Sequence, residues 1–214
     1  MRLNVFDLDH TLLKENCSYR FGAYLYKQGA LSFFSVLACL CYYARHKLLH
    51  MSLQKTHQKI FNRLFKGRSF HKIQQYADAF IKESLADLYY PPVLKRLSEA
   101  IKKGDYTLIL SSSPDFLVER IARDLGTTNW HGTIYEVDEQ GFFSHISHVI
   151  DGHEKVEVVK RLACKMDLDP CLMVAYSDSY LDLPILKIAG TAIGVKPDYQ
   201  LKRVCQNLGW EIIE

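Results

Sequence analysis

The stretch that decides the fold is Leu3-Asn4-Val5-Phe6-Asp7-Leu8-Asp9-His10-Thr11, near the amino terminus of this 214-residue chain. Residues 3–6 predict a short buried strand, and Asp7 and Asp9 follow at its carboxyl end. Two carboxylates this close repel each other, which drives one toward its neutral form. The pair therefore indicates a site in which a cation holds one aspartate as an anion while the other carries a proton. An ordinary turn after a strand, where aspartate is common, is the alternative.

The composition is typical of a globular protein with one core, or a core with a smaller inserted domain, since 48% of the residues are hydrophobic and 24% charged. The first strand begins at residue 3 and leaves no room for a signal peptide. Six scattered cysteines without metal-binding spacing indicate reduced thiols. We therefore expect a cytoplasmic protein and assign no chemistry to the cysteines.

Strand and helix patterns alternate outside residues 15–92. Beyond the first strand, strands are predicted at 106–111, 132–138, 142–147, 172–176 and 191–195. The alternation predicts an α/β fold, a Rossmann-like parallel sheet with helices on both faces. We expect residues 1–14 and 93–214 to form this core domain, with ligands bound at the carboxyl ends of its strands.

Residues 15–92 have no strand alternation and predict about four helices, an inserted helical cap domain beside the first loop. This segment contains 11 Lys and Arg against 4 Asp and Glu, whereas the remainder contains 16 against 20. A basic segment indicates an anionic partner, and a phosphorylated small molecule or an anionic membrane fits equally. No stacking-aromatic motif or groove-reading helix supports a nucleic-acid partner.

Residues 29–44, GALSFFSVLACLCYYA, are uncharged and mostly apolar, and Arg45-His46-Lys47 follow them. The stretch is shorter than the roughly 20 residues that span a bilayer. A buried helix inside the insert is one interpretation. The other is an interfacial helix, so that residues 29–47 make peripheral contact with anionic lipid.

Three further sites stand at predicted strand or helix ends. Ser111-Ser112-Ser113-Pro114 precedes a predicted helix, where hydroxyls and free N–H groups can bind phosphate, although serine is also a common helix cap. Lys155 lies in the first turn of a helix, a position unfavourable for a cation, which indicates an anion nearby unless the lysine is simply solvated. Asp178 and Asp182 follow an apolar strand and suit Mg²⁺, with helix capping as the alternative.

The order of these sites closely resembles the haloacid dehalogenase superfamily over essentially the whole chain. The helical insert and Leu110-Ser111-Ser112-Ser113-Pro114 resemble its subclass IB, the phosphoserine-phosphatase-like hydrolases. The resemblance implies a Mg²⁺-dependent phosphatase that hydrolyses a phosphate monoester through an aspartyl-phosphate intermediate.

The resemblance also implies a role for each position. Asp7 would be the nucleophile, and Asp9 the general acid and then the base. The residues implied to bind the substrate phosphate are Thr11, Ser111, Ser112 and Lys155. The residues implied to bind Mg²⁺ are Asp7, Asp9 through its backbone carbonyl, Asp178 and Asp182.

Some positions depart from the phosphoserine phosphatases. Leu181 stands where they usually carry Asn, and Asn16 stands where they carry a substrate-binding Glu. Residues 152–156 (Gly-His-Glu-Lys-Val) and 176–179 (Tyr-Ser-Asp-Ser) are similar to the bacterial phosphatidylglycerophosphatase C group. That similarity implies a lipid or otherwise amphipathic phosphate as the substrate.

Other functions stay open from the sequence alone. The substrate is alternatively phosphoserine or another small metabolite, and a phosphotransferase would pass the phosphoryl group to an alcohol. A non-catalytic binding protein of the same fold is disfavoured, because a protein without chemistry has no need of the full set Asp7, Asp9, Lys155, Asp178 and Asp182. The oligomeric state is not predicted.

Overall fold

The computed structural model describes residues 1–49 and 52–214, including all of their side chains except those of Leu40 and residues 43–49. Its strands are β1 (Leu3–Phe6), β2 (Tyr106–Pro114), β3 (Asn129–Val137), β4 (Phe143–His148), β5 (Met173–Ser177), β6 (Thr191–Val195) and β7 (Glu211–Ile213). They form one sheet in the order β4-β3-β2-β1-β5-β6-β7. Neighbours pair in parallel except for the antiparallel β3–β4 ribbon.

The helices are α1 (Cys17–Lys27), α2 (Phe33–Leu49), α3 (Leu53–Leu64), α4 (Phe70–Leu88), α5 (Pro91–Lys102), α6 (Asp115–Asp124), α7 (Gly152–Lys165), α8 (Leu183–Ile188) and α9 (Tyr199–Leu208). Short 3₁₀ turns cover Pro170–Leu172 and Tyr180–Asp182. Helices α1–α4 lie between β1 and β2, where the sequence predicts four helices. The division into a core domain (1–14 and 93–214) and a cap domain (15–92) stays a prediction.

Side chains that alternate along β1 place helices on both faces of the sheet. Leu3 and Val5 belong to a buried cluster with Val158 of α7, whereas Phe6 belongs to another cluster with Leu97 of α5. Successive strand residues point to opposite faces, so α5 and α7 cover different sides. The predicted Rossmann-like α/β fold is confirmed.

The carboxyl end of β2 differs from the prediction. Strand β2 was predicted to end at residue 111 but continues to Pro114, with a register shift between Leu110 and Pro114, and α6 begins directly after it. The Thr133 hydroxyl donates to the Ser112 carbonyl at 2.7 Å and keeps this end of β2 extended. After β5, a 3₁₀ turn precedes α8, which begins near a proline that favours a first turn.

The insert packs on the β3–β4 ribbon and on α6 through aromatic rings. Phe65, directly after α3, lies 5.7 Å from Phe143 of β4, and Phe21 of α1 lies 6.1 Å from Phe116 of α6, measured between ring centroids. The Gly67 N–H donates to the Phe143 carbonyl at 2.8 Å, which joins insert and ribbon through the backbone. The helices are therefore held against the sheet by a continuous apolar core.

The predicted stretch 29–44 is not buried throughout. Leu31 is buried, but Phe33 and Phe34 at the start of α2 are 57% and 72% exposed. The side chains of Arg45-His46-Lys47 lie outside the described residues. No helix in the described part of the chain is long and apolar enough to cross a membrane.

Candidate active site

The first acidic residue is fixed by pairing between the two central strands. β1 and β5 are parallel neighbours, with Phe6 opposite Tyr176 and the two rings stacked at 4.4 Å. The Asp7 N–H donates to the Tyr176 carbonyl at 3.0 Å, which extends this pairing by one residue. Asp7 therefore leaves the sheet beside the loop that carries Asp178.

Lys155 links two of the acidic residues. Its Nζ lies 2.7 Å from Asp7 Oδ1 and 2.7 Å from Asp182 Oδ2. A Cβ at Gly152 would lie 2.3 Å from the Leu181 carbonyl oxygen, so glycine allows the start of α7 to approach this loop. The close approach brings Lys155 within reach of both carboxylates.

The carboxylates around Lys155 carry more negative charge than one ammonium neutralises. Burial raises the pKa of Asp7 to about 7, against the attraction of Lys155 and with added repulsion from Asp182. Burial, followed by the charges of Asp7 and Asp182, raises the pKa of Asp178 to about 8. Burial opposes the charge on Lys155, yet Asp182 and Asp7 raise the pKa of the ammonium above its ordinary value. The lysine therefore stays charged, and the site favours a further cation.

Two hydroxyls complete the acidic cluster. Ser177 Oγ donates to Asp182 Oδ2 at 2.7 Å, so that this oxygen accepts from both Ser177 and Lys155. Thr11, which is fully buried, places its Oγ1 3.5 Å from Asp178 Oδ1. The hydroxyl contacts thus orient two of the predicted metal ligands.

The donor set fits a hard divalent cation. Within residues 1–49 and 52–214, no three His, Cys, Asp or Glu side chains lie together as a ready-made metal site. Mg²⁺ needs no such cluster, because it takes one or two carboxylates and keeps several waters. Asp7 and Asp178 supply two carboxylates whose pKa values are raised first by burial and further by the neighbouring carboxylates, and a bound cation would offset both effects.

Asp9 faces β2 and the first inserted helix. Its Oδ1 accepts from the Cys17 backbone N–H at 2.6 Å, and its Oδ2 accepts from the Ser113 hydroxyl at 2.6 Å. Ser111 is buried, and its Oγ accepts from the Ser113 N–H at 3.0 Å, which leaves the Ser111 hydroxyl hydrogen for another acceptor. Ser112 is half-buried beside it. The structure thus brings the serine run to the same edge of the sheet as Asp7 and Asp9.

Sequence reasoning missed the contacts of Ser113 and Ser18. The sequence shows Ser113 only as part of the serine run, in which phosphate binding was assigned to Ser111 and Ser112. The Ser18 hydroxyl lies 2.7 Å from the Ser113 hydroxyl, and 95 positions separate the two residues in the sequence. No local pattern signals such a contact.

This arrangement matches a known family. A family model of haloacid dehalogenase-like hydrolases matches residues 5–187. The chain is a haloacid dehalogenase-like hydrolase. The predicted family and the prediction of an enzyme are confirmed, and the non-catalytic alternative is wrong.

Two curated relatives of this hydrolase come from mycobacteria. The chain is 28% identical to a putative hydrolase of Mycobacterium leprae over 212 residues, which are 97% of the chain and 70% of the relative. It is also 28% identical to phosphoserine phosphatase SerB1 of Mycobacterium tuberculosis over 214 residues, 97% of the chain and 68% of that protein.

Solved structures share the fold of this hydrolase. A Bordetella pertussis protein of unknown function superposes with a TM-score of 0.89 at 21% identity, over 100% of the chain and 98% of its own. A substrate-bound phosphoserine phosphatase superposes with a TM-score of 0.74 at 16% identity, over 100% and 92%. At these identities the likeness establishes the fold alone.

The hydrolase uses Asn16 as a helix cap. The Asn16 side chain accepts from the Tyr19 N–H at 2.8 Å and so begins α1. This is the position at which the sequence comparison expects a substrate-binding Glu in phosphoserine phosphatases. Leu181, at the other departing position, is exposed. Leu181 therefore lacks the amide, and Asn16 lacks the carboxylate, that the phosphoserine pocket is expected to have.

Proposed function

We propose that this hydrolase removes the phosphoryl group from a phosphate monoester through an aspartyl-phosphate on Asp7, with Mg²⁺ as its cofactor. That it is a phosphatase rests on its family and on relatives such as phosphoserine phosphatase SerB1. The observation that carries the mechanism is the placement of Lys155 Nζ 2.7 Å from Asp7 at the carboxyl end of β1. An ammonium in that position stabilises both the nucleophile and an incoming phosphoryl group.

In the proposed reaction, an Asp7 oxygen attacks phosphorus while the bond to the ester oxygen breaks. Asp9 gives its proton to the departing alcohol and later takes a proton from the water that hydrolyses the acyl phosphate. The Ser111 hydroxyl and the Ser112 N–H donate to the phosphoryl oxygens, and Lys155 offsets their charge. Phosphoryl transfer depends mainly on such positioning and charge neutralisation.

Mg²⁺ would be held by the side chains of Asp7 and Asp178 and by the backbone carbonyl of Asp9, and when bound it supplies positive charge to the phosphoryl oxygens. Asp182 was predicted as a further ligand. Its Oδ2 accepts from Lys155 and Ser177, so we assign it to the orientation of Lys155. Thr11 supports the loop through its contact with Asp178.

For the substrate we propose a lipid or amphipathic phosphate, of the phosphatidylglycerophosphate type. The insert is basic, and its Phe33 and Phe34 side chains are exposed where they can contact an acyl chain or a membrane surface. Leu181 and Asn16 do not supply the amide and the carboxylate expected at these positions around phosphoserine. The second candidate is a small-metabolite phosphate such as phosphoserine, which the name of the SerB1 relative favours.

The mechanism is tested by trapping the intermediate. Rapid mixing with substrate followed by sodium borohydride should reduce phosphorylated Asp7 to homoserine, which mass spectrometry detects in the peptide. Asp7→Asn should lower phosphate release by about 10³-fold or more, because the amide is not a nucleophile. Its melting temperature should not fall, since one of several crowded carboxylates is removed. Normal turnover by this variant would refute the assignment.

The substrate is tested by a phosphate-release panel with phosphoserine, sugar phosphates, nucleotides and detergent-dispersed phosphatidylglycerophosphate. The highest kcat/KM on the dispersed lipid supports our proposal, and a clear preference for phosphoserine supports the second candidate. Added acceptor alcohols separate hydrolysis from phosphoryl transfer. A transferase would consume more substrate than the phosphate it releases.

A further inference from the structure

The Asp9 carboxylate is held from two sides by groups that the reaction scheme does not use. The Cys17 backbone N–H donates to Oδ1 and the Ser113 hydroxyl donates to Oδ2, each at 2.6 Å. Ser113 is 4% exposed, and its own N–H is tied to Ser111 Oγ at 3.0 Å. The hydroxyl that touches Asp9 therefore has little freedom to move away.

The Ser113 hydroxyl can donate to Asp9 and at the same time accept hydrogen bonds from its other neighbours. A hydroxyl has one hydrogen to give and two lone pairs that accept. The Ser18 hydroxyl lies 2.7 Å from Ser113 Oγ, and the Cys17 thiol donates to the same oxygen at 3.4 Å. When these two groups donate, the Ser113 hydrogen points to Asp9. Both donors belong to α1, the first helix of the insert.

We propose that Ser113 is a positioning residue, which fixes the Asp9 carboxyl in the orientation from which it protonates the leaving alcohol. Through Ser18 and Cys17 this orientation depends on the position of α1, so the insert takes part in holding the acid. The inference rests on the proposed function. Without the Ser113 hydroxyl, the Asp9 side chain loses a fixed donor and rotates, and proton transfer depends steeply on such geometry.

The test compares two leaving groups in Ser113→Ala. An alkyl phosphate needs a proton on its leaving oxygen, whereas the nitrophenolate of p-nitrophenyl phosphate leaves readily without one. We measure kcat/KM, which reports the steps up to the first irreversible one. Because general acid catalysis contributes about 10²–10⁴-fold, we expect kcat/KM to fall about 30-fold for the alkyl phosphate and less than about 3-fold for the aryl phosphate. Ser113→Thr, which keeps the hydroxyl, should restore most of the alkyl activity.

Two further variants separate positioning from stability. Ser18→Ala should give the same dependence on the leaving group with a smaller loss. Ser35→Ala removes another buried serine hydroxyl of the insert, bonded to Ser32, and should leave both activities unchanged. The ratio of the two kcat/KM values does not depend on the fraction of folded enzyme, so a partly unfolded variant still gives a result.

Equal losses for both substrates in Ser113→Ala, or no loss for either, would overturn the positioning role. A wild-type enzyme that releases phosphate from neither substrate contradicts the proposed function itself. The two failures are therefore distinguishable.

Discussion

Two regions of the molecule place side chains where they are least stable. The charged edge of the sheet (Asp7, Lys155, Asp178 and Asp182) buries charged groups, and the aromatic surface of the insert (Phe33 and Phe34) exposes apolar rings. At the charged edge the Lys155 and Asp7 side chains are only 5% and 11% exposed and lie 2.7 Å apart. On the aromatic surface the two rings are largely exposed, with centroids 6.0 Å apart. Charges are removed from water at one place, and large apolar groups are left in water at the other.

Both arrangements cost free energy in the isolated protein. Desolvating charges costs several kcal/mol per ion, and an ion pair in the interior often fails to recover it. Exposed apolar groups that cluster on a surface mark a site of interaction. The two regions differ in the geometry they need: phosphoryl transfer requires fixed atoms, whereas an apolar surface tolerates many poses of a chain or a bilayer. This difference predicts where substitutions act.

The largest effect is expected at the charged edge, on removal of the divalent metal. EDTA should lower phosphate release by about 10³-fold or more, and Mg²⁺ should restore it, because the carboxylates share one ammonium and need further positive charge. A ligand that binds only the folded protein also stabilises it, by about 2.7 kcal/mol at 100 times Kd. Mg²⁺ should therefore raise the melting temperature, as measured by differential scanning fluorimetry.

The control for the metal experiment lies on the insert. Asp178→Asn should abolish the rise in melting temperature, whereas Asp87→Asn, at an exposed position of α4, should keep it. If Mg²⁺ does not change the melting temperature of the unsubstituted protein, the proposed ligands are contradicted. This holds even if some activity needs the metal.

The next effect is expected at Lys155, for which α7 offers a matched control. Lys155 and Lys160 each pair with acidic side chains, but they are 5% and 60% exposed. Lys155→Met leaves buried carboxylates unpaired and should lower the free energy of unfolding by about 3 kcal/mol. Lys160→Met should change it by less than about 0.5 kcal/mol, because exposed pairs contribute little. Chemical denaturation followed by circular dichroism measures both.

Activity should separate the same two variants. Lys155→Met should reduce kcat/KM by about 10²-fold, since a preorganised charge next to the reacting group is lost. Lys160→Met should keep normal activity. If Lys155→Met and Lys160→Met lowered kcat/KM by similar factors, burial of Lys155 at the charged edge would contribute nothing to catalysis.

The charged edge was readable from the sequence because each of its residues follows a recognisable strand or begins a helix. Asp7, Lys155 and Asp178 stand at such ends, and parallel strands bring their carboxyl ends to one edge. The contact of Ser113 with Asp9 was not readable, since the two residues are 104 positions apart and nothing local marks the pair. The extension of β2 through the serines was missed because it depends on Thr133 of the neighbouring strand.

The insert was less readable than the sheet. Helical periodicity predicted α1–α4, but the same apolar stretch, 29–44, fitted both a buried and an interfacial helix. Composition does not distinguish these, because exposure depends on which neighbours pack against each turn. In the structure Leu31 is covered, and Phe33 two residues later is not. Only tertiary packing decides between the two positions.

The smallest effect is expected on the aromatic surface, and only with a substrate in a membrane or micelle. The double substitution Phe33→Ser and Phe34→Ser should weaken flotation with anionic vesicles and lower kcat/KM for the dispersed lipid phosphate about 10-fold. The reason is the loss of apolar contact, which contributes about 25 cal/mol per Å² of buried surface. Hydrolysis of a soluble phosphate should not change, because neither ring contacts the charged edge through any described interaction.

Tyr199→Ser is the matched control, because that ring is 76% exposed on α9 and lies outside the insert. It should leave flotation and both activities as they are. Equal losses on soluble and dispersed substrates in the Phe33 and Phe34 variant would show that the surface acts on the fold or the chemistry. Rapid hydrolysis of a soluble phosphate, together with no binding to anionic vesicles, would refute the lipid hypothesis and support a small-metabolite phosphatase. In that case the exposed rings of Phe33 and Phe34 would contact neither an acyl chain of the substrate nor a membrane.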